Sequence, residues 1–382
     1  MGELRPFDEE IYVTRPLLPE LDEFKRRLGD IWSSRQLTNN GPQHRELEAT
    51  MRDFLKAPGL SLFNNGTIAL IVAVQSLALK GEVITTPFTF PATPHVLTWN
   101  GITPVFCDID AETMNIDPAR IEALITPQTT AILGVHVYGT PCDVEAIDDI
   151  AKRRGLKVIY DAAHAFGVEI DGRGIGTFGD MSMFSFHATK LYHTAEGGAL
   201  TFNDAALKPH VDLLKNFGIR GQESVIMPGI NGKMNELQAA LGLVVLAHVE
   251  QERARRKALR DVYVSELSGT EGLSIIKNDL PDIKSSYQYM VVRIDKARFG
   301  ASRDEVHEAM KRYNVFTRKY FFPLCSEYDC YKSLPSASPE KLPEAVRAAS
   351  EVLCLPFYGA LSADDVRRIC AMIKSCKGAP SA

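Results

Sequence analysis
The sequence predicts an α/β protein: a large domain on a mainly parallel sheet with crossover helices, then a smaller C-terminal α+β domain. Three observations carry this. Strand-like and helix-like runs alternate through residues 1–250. The strand-like runs are nearly all apolar, as strands buried on both faces must be. Past residue 250 a charged stretch, "QERARRKALRDVYVSELSG", reads as a long amphipathic helix leaving the first domain. The predicted division is therefore 1–250 and 251–382.

In order, the strands are "EVITTP" (82–87), "TPVFCDI" (103–109), "AILGVHV" (131–137), "KVIYDA" (157–162), "MSMFSFH" (181–187) and "GALTF" (198–202). Between and after them, helices are expected over 66–79, 117–124, 143–153 and 234–249. The second domain reads as the strand "YQYMVVRI", a helix over 302–313, a Pro- and Ser-rich loop (334–343) and a final helix. That helix starts at "SADD", a capping box with Ser362 at the cap and Asp365 three residues on.

Composition narrows the function classes. The chain has 382 residues, 45% hydrophobic and 24% charged, with a net charge of −5. That is an ordinary globular make-up without the basic footprint of a nucleic-acid binder. An anionic ligand has to be held locally, by helix N-termini or a few basic side chains. The 7 cysteines form no C-x-x-C pair, so neither a disulfide framework nor a zinc site is indicated, and no metal is expected. "MGELRPFDEEIYV" lacks a signal-peptide layout, and "IALIVAVQSLALKG" is too short to span a bilayer. The expectation is a cytoplasmic protein with reduced thiols and no membrane partner.

Five stretches can carry chemistry. In "LFNNGTIALIVAVQSLAL" (62–79) a polar turn feeds an apolar helix. Gly66 permits close backbone approach, and the helix start offers N–H groups to an anion; an ordinary capped helix reads the same way. In "TTPFTFPAT" (85–93), at a strand end, Phe88 and Phe90 share a face if the strand continues. They either pack in the core or stack on a flat ligand. "VIYDAAHAFG" puts Asp161 where a strand ends, and a buried carboxylate there needs a positive partner; His164 either packs or reaches a ligand. "SFHATKLYHTAEGGAL" sets Lys190 among small and apolar residues between two strands, where desolvation lowers a lysine's pKa and makes it a nucleophile. "GINGKMNELQAALGL" (229–243) places Asn231 and Lys233 before an apolar helix.

Taken in order and spacing, these stretches, with "LTNNGP", "PVFCDID", "VHVYGTPCDVEAI" and "LCLPFYGALSADDV", resemble the DegT/DnrJ/EryC1/StrS group of nucleotide-sugar aminotransferases. These are pyridoxal-phosphate enzymes of fold-type I, and the resemblance covers nearly the whole chain. It implies a seven-stranded large-domain sheet. Lys190 matches the lysine that bonds the cofactor as a Schiff base, and Asp161 the acid paired with the pyridine nitrogen. His164 matches the position beside the ring hydroxyl, and Phe90 the aromatic on the ring face. Gly66, Thr67 and Ser185 match phosphate contacts. Asn231 matches an asparagine reaching the phosphate from a neighbouring subunit, which implies a homodimer with shared active sites. Two departures stand out: Lys233 where the group often has arginine, and Tyr160 where it often has glutamate.

The resemblance further implies L-glutamate as amino donor and a nucleotide-linked keto sugar as acceptor. The expected reaction is amination at C4 of a dTDP-linked 4-keto-6-deoxy hexose, giving a 4-amino-4,6-dideoxy sugar for surface polysaccharide such as O-antigen. The alternatives are C3 amination of a 3-keto isomer and amination of a free cyclitol. Relatives that dehydrate a sugar carry histidine in place of the lysine, so Lys190 argues against that class, and Lys190 with Asp161 argues against a non-catalytic regulator. Substrate contacts are expected from "TNNGP", His187, His193 and "TRKYF" (317–321).

Overall fold
The computed structural model describes residues 4–277 and 280–378. Its centre is a seven-stranded sheet. The strand order is Gly59–Phe63, Gly198–Phe202, Met181–Ser185, Lys157–Asp161, Thr129–Val135, Glu82–Thr85 and Thr103–Phe106. Gly198–Phe202 is antiparallel to both neighbours, and the other pairings are parallel. Parallel neighbours need crossover connections, and helices such as Ala92–Trp99 and Val144–Arg154 supply them. Strand residues such as Leu62, Ile84, Leu133 and Ile159 are fully buried, which accounts for the unbroken apolar runs.

The expected strands are all present, each starting within three residues of its predicted start and ending up to three residues earlier than predicted or at the same residue. Gly59–Phe63 escaped the sequence reading: it has five residues and its glycine and serine hide the strand character. The helices Leu21–Ser34 and Pro42–Phe54 were likewise unread. The segments expected as separate helices at 234–249 and beyond 250 are one helix, Glu236–Leu267, of 32 residues. It runs straight through the proposed division at 250.

Its far end packs on the smaller unit. Leu259, Tyr263 and Leu267 share a core with Met290, Val292, Leu353 and Ile369. There Met290–Ile294 is the middle strand of a three-stranded antiparallel sheet, between Leu273–Ile275 and Val352–Leu355. The final helix, Ala363–Ser375, begins with the predicted Ser362–Asp365 capping box. The N-terminal segment also belongs to this side: Phe7 joins the same core, and Ile11–Tyr12 pairs with Val315–Phe316.

Candidate active site
The carboxyl ends of the parallel strands meet the segment 320–321 and Tyr289 around a cavity of about 240 Å³. Open α/β sheets place their ligands at such strand ends. Gly66, Thr67, Phe90, Asp161, His164, Ser185 and Lys190 all line this cavity. They come from four separate stretches of the sequence.

The anion end is built first. Strand Gly59–Phe63 ends, Asn64 donates its N–H to Gly232 O at 2.9 Å, and Asn65 caps the next helix by accepting the Ile68 N–H at 2.8 Å. The first turn of a helix has N–H groups without intrahelical partners. Those of Gly66 and Thr67 stand at the cavity wall. A Cβ on Gly66 would come within 2.9 Å of Met183 Sδ and 3.2 Å of Ser185 Cβ, so only glycine lets this turn sit against Ser185.

Asp161 ends the strand Lys157–Asp161 and is 5% exposed. Ala163 N–H and the Thr93 hydroxyl donate to it. Among the described residues no side-chain cation forms an ion pair with it, so a buried carboxylate lines the cavity with no cation in direct contact. Burial pushes its carboxyl above the ordinary carboxylate range; the two hydrogen bonds and the Lys190 charge pull it back. A cationic ring nitrogen would meet that need.

Lys190 sits in the loop after Met181–Ser185. Gln288 clamps this loop, accepting the Leu191 N–H at 2.7 Å and donating to Thr189 O at 3.1 Å. Desolvation lowers the Lys190 ammonium to about 8, against the raising effect of Asp161. His164 accepts the Tyr138 N–H on Nδ1 at 3.2 Å. Burial drives its pKa well down, so the imidazole is neutral and its proton is on Nε2. Phe321 stacks on it at 5.8 Å and Tyr289 meets it edge-on at 5.0 Å.

Phe88 and Phe90 do not share a face. The strand stops at Thr85, and the turn that follows breaks the two-residue alternation. Phe88 is buried against Tyr138 and Phe321, whereas Phe90 is 58% exposed over the cavity. An aromatic left bare beside buried polar groups suits a flat ring.

The fit to pyridoxal phosphate is therefore specific. The lining offers an N–H-rich turn suited to a phosphate, a buried carboxylate suited to a cationic ring nitrogen, a neutral imidazole suited to a ring hydroxyl, and a lysine of lowered pKa suited to an aldehyde.

Of the expected substrate contacts, His187, Tyr320 and Phe321 line the cavity. His193 is buried and bonded to Leu17 O at 2.8 Å, away from it. Asn39 and Asn40 of "TNNGP" line a second, polar cavity of about 180 Å³ with His44, Asp212, Lys215, Asn216 and Lys233. Asn231 is exposed and does not line its own chain's active-site cavity; its carbonyl meets the Asn64 side chain at 3.5 Å. Thr93, Tyr138, Gln288 and Tyr289 were missed in the sequence. They lie within stretches already singled out, but their roles depend on partners distant in the chain, such as Asp161 for Thr93 and the Thr189 and Leu191 backbone for Gln288.

A model of the DegT/DnrJ/EryC1/StrS aminotransferase family matches residues 20–374. The chain is 47% identical over 369 residues to the dTDP-4-amino-4,6-dideoxy-D-glucose transaminase of Escherichia coli, covering 96% of this chain and 98% of that one. Among solved structures, DesI in the presence of its TDP-sugar product superposes with a TM-score of 0.93 at 37% identity, over 99% of this chain and 95% of DesI. The PLP form of a Streptococcus pneumoniae protein described as a sugar aminotransferase gives 0.88 at 26% identity, over 96% and 98%.

Proposed function
From the premise that the chain belongs to the DegT/DnrJ/EryC1/StrS family of pyridoxal-phosphate-dependent aminotransferases, we propose that it aminates C4 of a dTDP-linked 4-keto-6-deoxy hexose. L-Glutamate is the donor and a 4-amino-4,6-dideoxy sugar the product, made in the cytoplasm for surface polysaccharide. The observation that carries this reading is Lys190 and Asp161 in one cavity, in a chain 47% identical along nearly its full length to a transaminase named for that product.

When bound, the cofactor supplies an electron sink for negative charge on the substrate carbon. The chain's residues do the rest. Asp161 holds negative charge behind the ring nitrogen. His164 donates its Nε2–H to the ring oxygen. The Gly66 and Thr67 N–H groups with the Ser185 hydroxyl hold the phosphate. Lys190 Nζ, freed as an amine, takes the proton from the donor's nitrogen-bearing carbon and delivers one to the acceptor's carbonyl carbon. Tyr320 and Phe321 wall the cavity from the smaller unit. Regiochemistry follows from which carbonyl carbon the nucleotide half presents.

A homodimer with shared sites is part of the proposal. Asn231 is exposed, and the neighbouring hairpin, with Ile219–Gly221 and Ser224–Val225 as its strands, leaves Phe217, Val225 and Ile226 bare. Such a surface suits contact with a second copy.

The deciding experiment supplies cofactor, glutamate and either the 4-keto or the 3-keto dTDP-6-deoxy sugar, with NMR of the product. Nitrogen at C4 is expected. Amination of the 3-keto isomer alone would overturn the assignment.

A further inference from the structure
Asp161 is held by more than the strand it ends. Its Oδ1 accepts the Ala163 N–H at 3.0 Å, and its Oδ2 accepts the Thr93 hydroxyl at 2.8 Å. Thr93 Oγ1 lies 2.9 Å from Thr89 Oγ1. A carboxylate only accepts, and a hydroxyl has one proton. The Thr93 proton is committed to Asp161, so Thr89 is the donor in the shared bond. The chain of donation runs Thr89 to Thr93 to Asp161, with each dipole aimed at the carboxylate. Thr89 and Thr93 are 1% and 0% exposed, so water does not compete. Thr89 is pinned from the smaller unit: its carbonyl accepts the Cys325 thiol at 3.3 Å, and Cys325 N–H donates to Pro87 O at 3.0 Å.

We propose that Thr89 and Thr93 form a hydroxyl relay that keeps Asp161 ionised behind the cofactor ring, with Thr93 as a positioning residue for the ring nitrogen's proton. The inference is independent of the sugar substrate and rests on the placement of Asp161 at the ring nitrogen. Burial favours the neutral acid, and hydrogen bonds to the charged form oppose that. Bonds to an ionised acceptor are the stronger kind, and a chain of hydroxyls polarises each member. The Thr93 hydroxyl is one of the groups that pull the Asp161 carboxyl back down. Without it the carboxylate becomes the stronger base and draws the shared proton off the ring. The ring is then a poorer electron sink.

The test is ¹⁵N NMR of the holoenzyme carrying cofactor labelled at the ring nitrogen, with the cofactor's dissociation constant measured alongside. Thr93→Val keeps the shape and removes the donor. It is expected to move the resonance from the protonated towards the unprotonated position and to raise the dissociation constant about tenfold, the loss of one hydrogen bond to a charged group. Thr89→Val should move it the same way by less, and Thr93→Ser should restore it. An unmoved resonance in folded Thr93→Val, or no restoration by Thr93→Ser, overturns the relay. If Thr93→Val does not fold, Thr89→Val decides by the same readout. Asp161→Asn separates the premises. If it too leaves the resonance unmoved, the placement of Asp161 has failed; if it alone moves the resonance, the relay has.

Discussion
Lys190 must be uncharged to attack, and its surroundings lower its pKa to about 8 by desolvation while the Asp161 charge holds it from falling further. The sign follows. The reactive neutral amine grows as pH rises through about 8, and removing the Asp161 charge moves that rise to lower pH. Competitive labelling of the cofactor-free protein with acetic anhydride, read at Lys190 by mass spectrometry, should show a midpoint near 8. The Asp161→Asn midpoint should be lower, and a midpoint moved upward would contradict the electrostatics. His164 illustrates the same scale. One backbone N–H from Tyr138 fixes which nitrogen carries its proton, a detail that its place in "DAAHAFG" does not disclose.

Helix starts are where local and long-range logic part. Ser362 caps Ala363–Ser375 with Asp365, three residues apart, so the pattern is legible in the string. The helix Pro42–Phe54 has Gly41 at its cap and no side chain there to accept its N–H groups. Glu236 does so instead, from the first turn of another helix, accepting the Gln43 and His44 N–H groups at 2.8 and 2.9 Å. A Cβ on Gly41 would lie 2.4 Å from Glu236 Cδ, so the glycine is what leaves room for the distant cap. Glu236→Ala leaves two buried donors unpaired and should cost about 2–4 kcal/mol, seen as a lower urea midpoint. Gly41→Ala should shift the midpoint the same way by displacing the carboxylate. Unchanged stability in both would show that this cap contributes nothing.

Across the molecule, Glu236–Leu267 ties the two units together. Glu252 on this helix accepts from Arg256 at 2.7 Å and from the Gly359 N–H at 2.8 Å, and Tyr263 donates to Pro356 O at 2.8 Å. The cavity takes walls from both sides, so it depends on this strut. The shared-site proposal is tested at this scale. The protein should sediment at twice the 42.3 kDa of one chain. Inactive Lys190→Ala and Asn231→Ala chains, mixed as verified heterodimers, should regain activity at one of the two sites. No recovery would overturn the shared site and leave Asn231 acting within its own chain.

The sequence by itself determined the alternation of buried strands and helices, because apolar runs and cap residues act over a few neighbours. It also determined the residue types at and just past the strand ends, Asp161, Ser185 and Lys190 among them, whose order and spacing identify the family. Tertiary structure alone decided that Phe90 and not Phe88 faces the cavity, that His193 is a packing residue, that one helix crosses the proposed division, and that Thr93, Gln288 and Tyr138 serve the site. Each of those depends on contacts between residues far apart in the chain. Burial and hydrogen-bond direction are set there by the partner across space, and no periodicity along the chain encodes that partner.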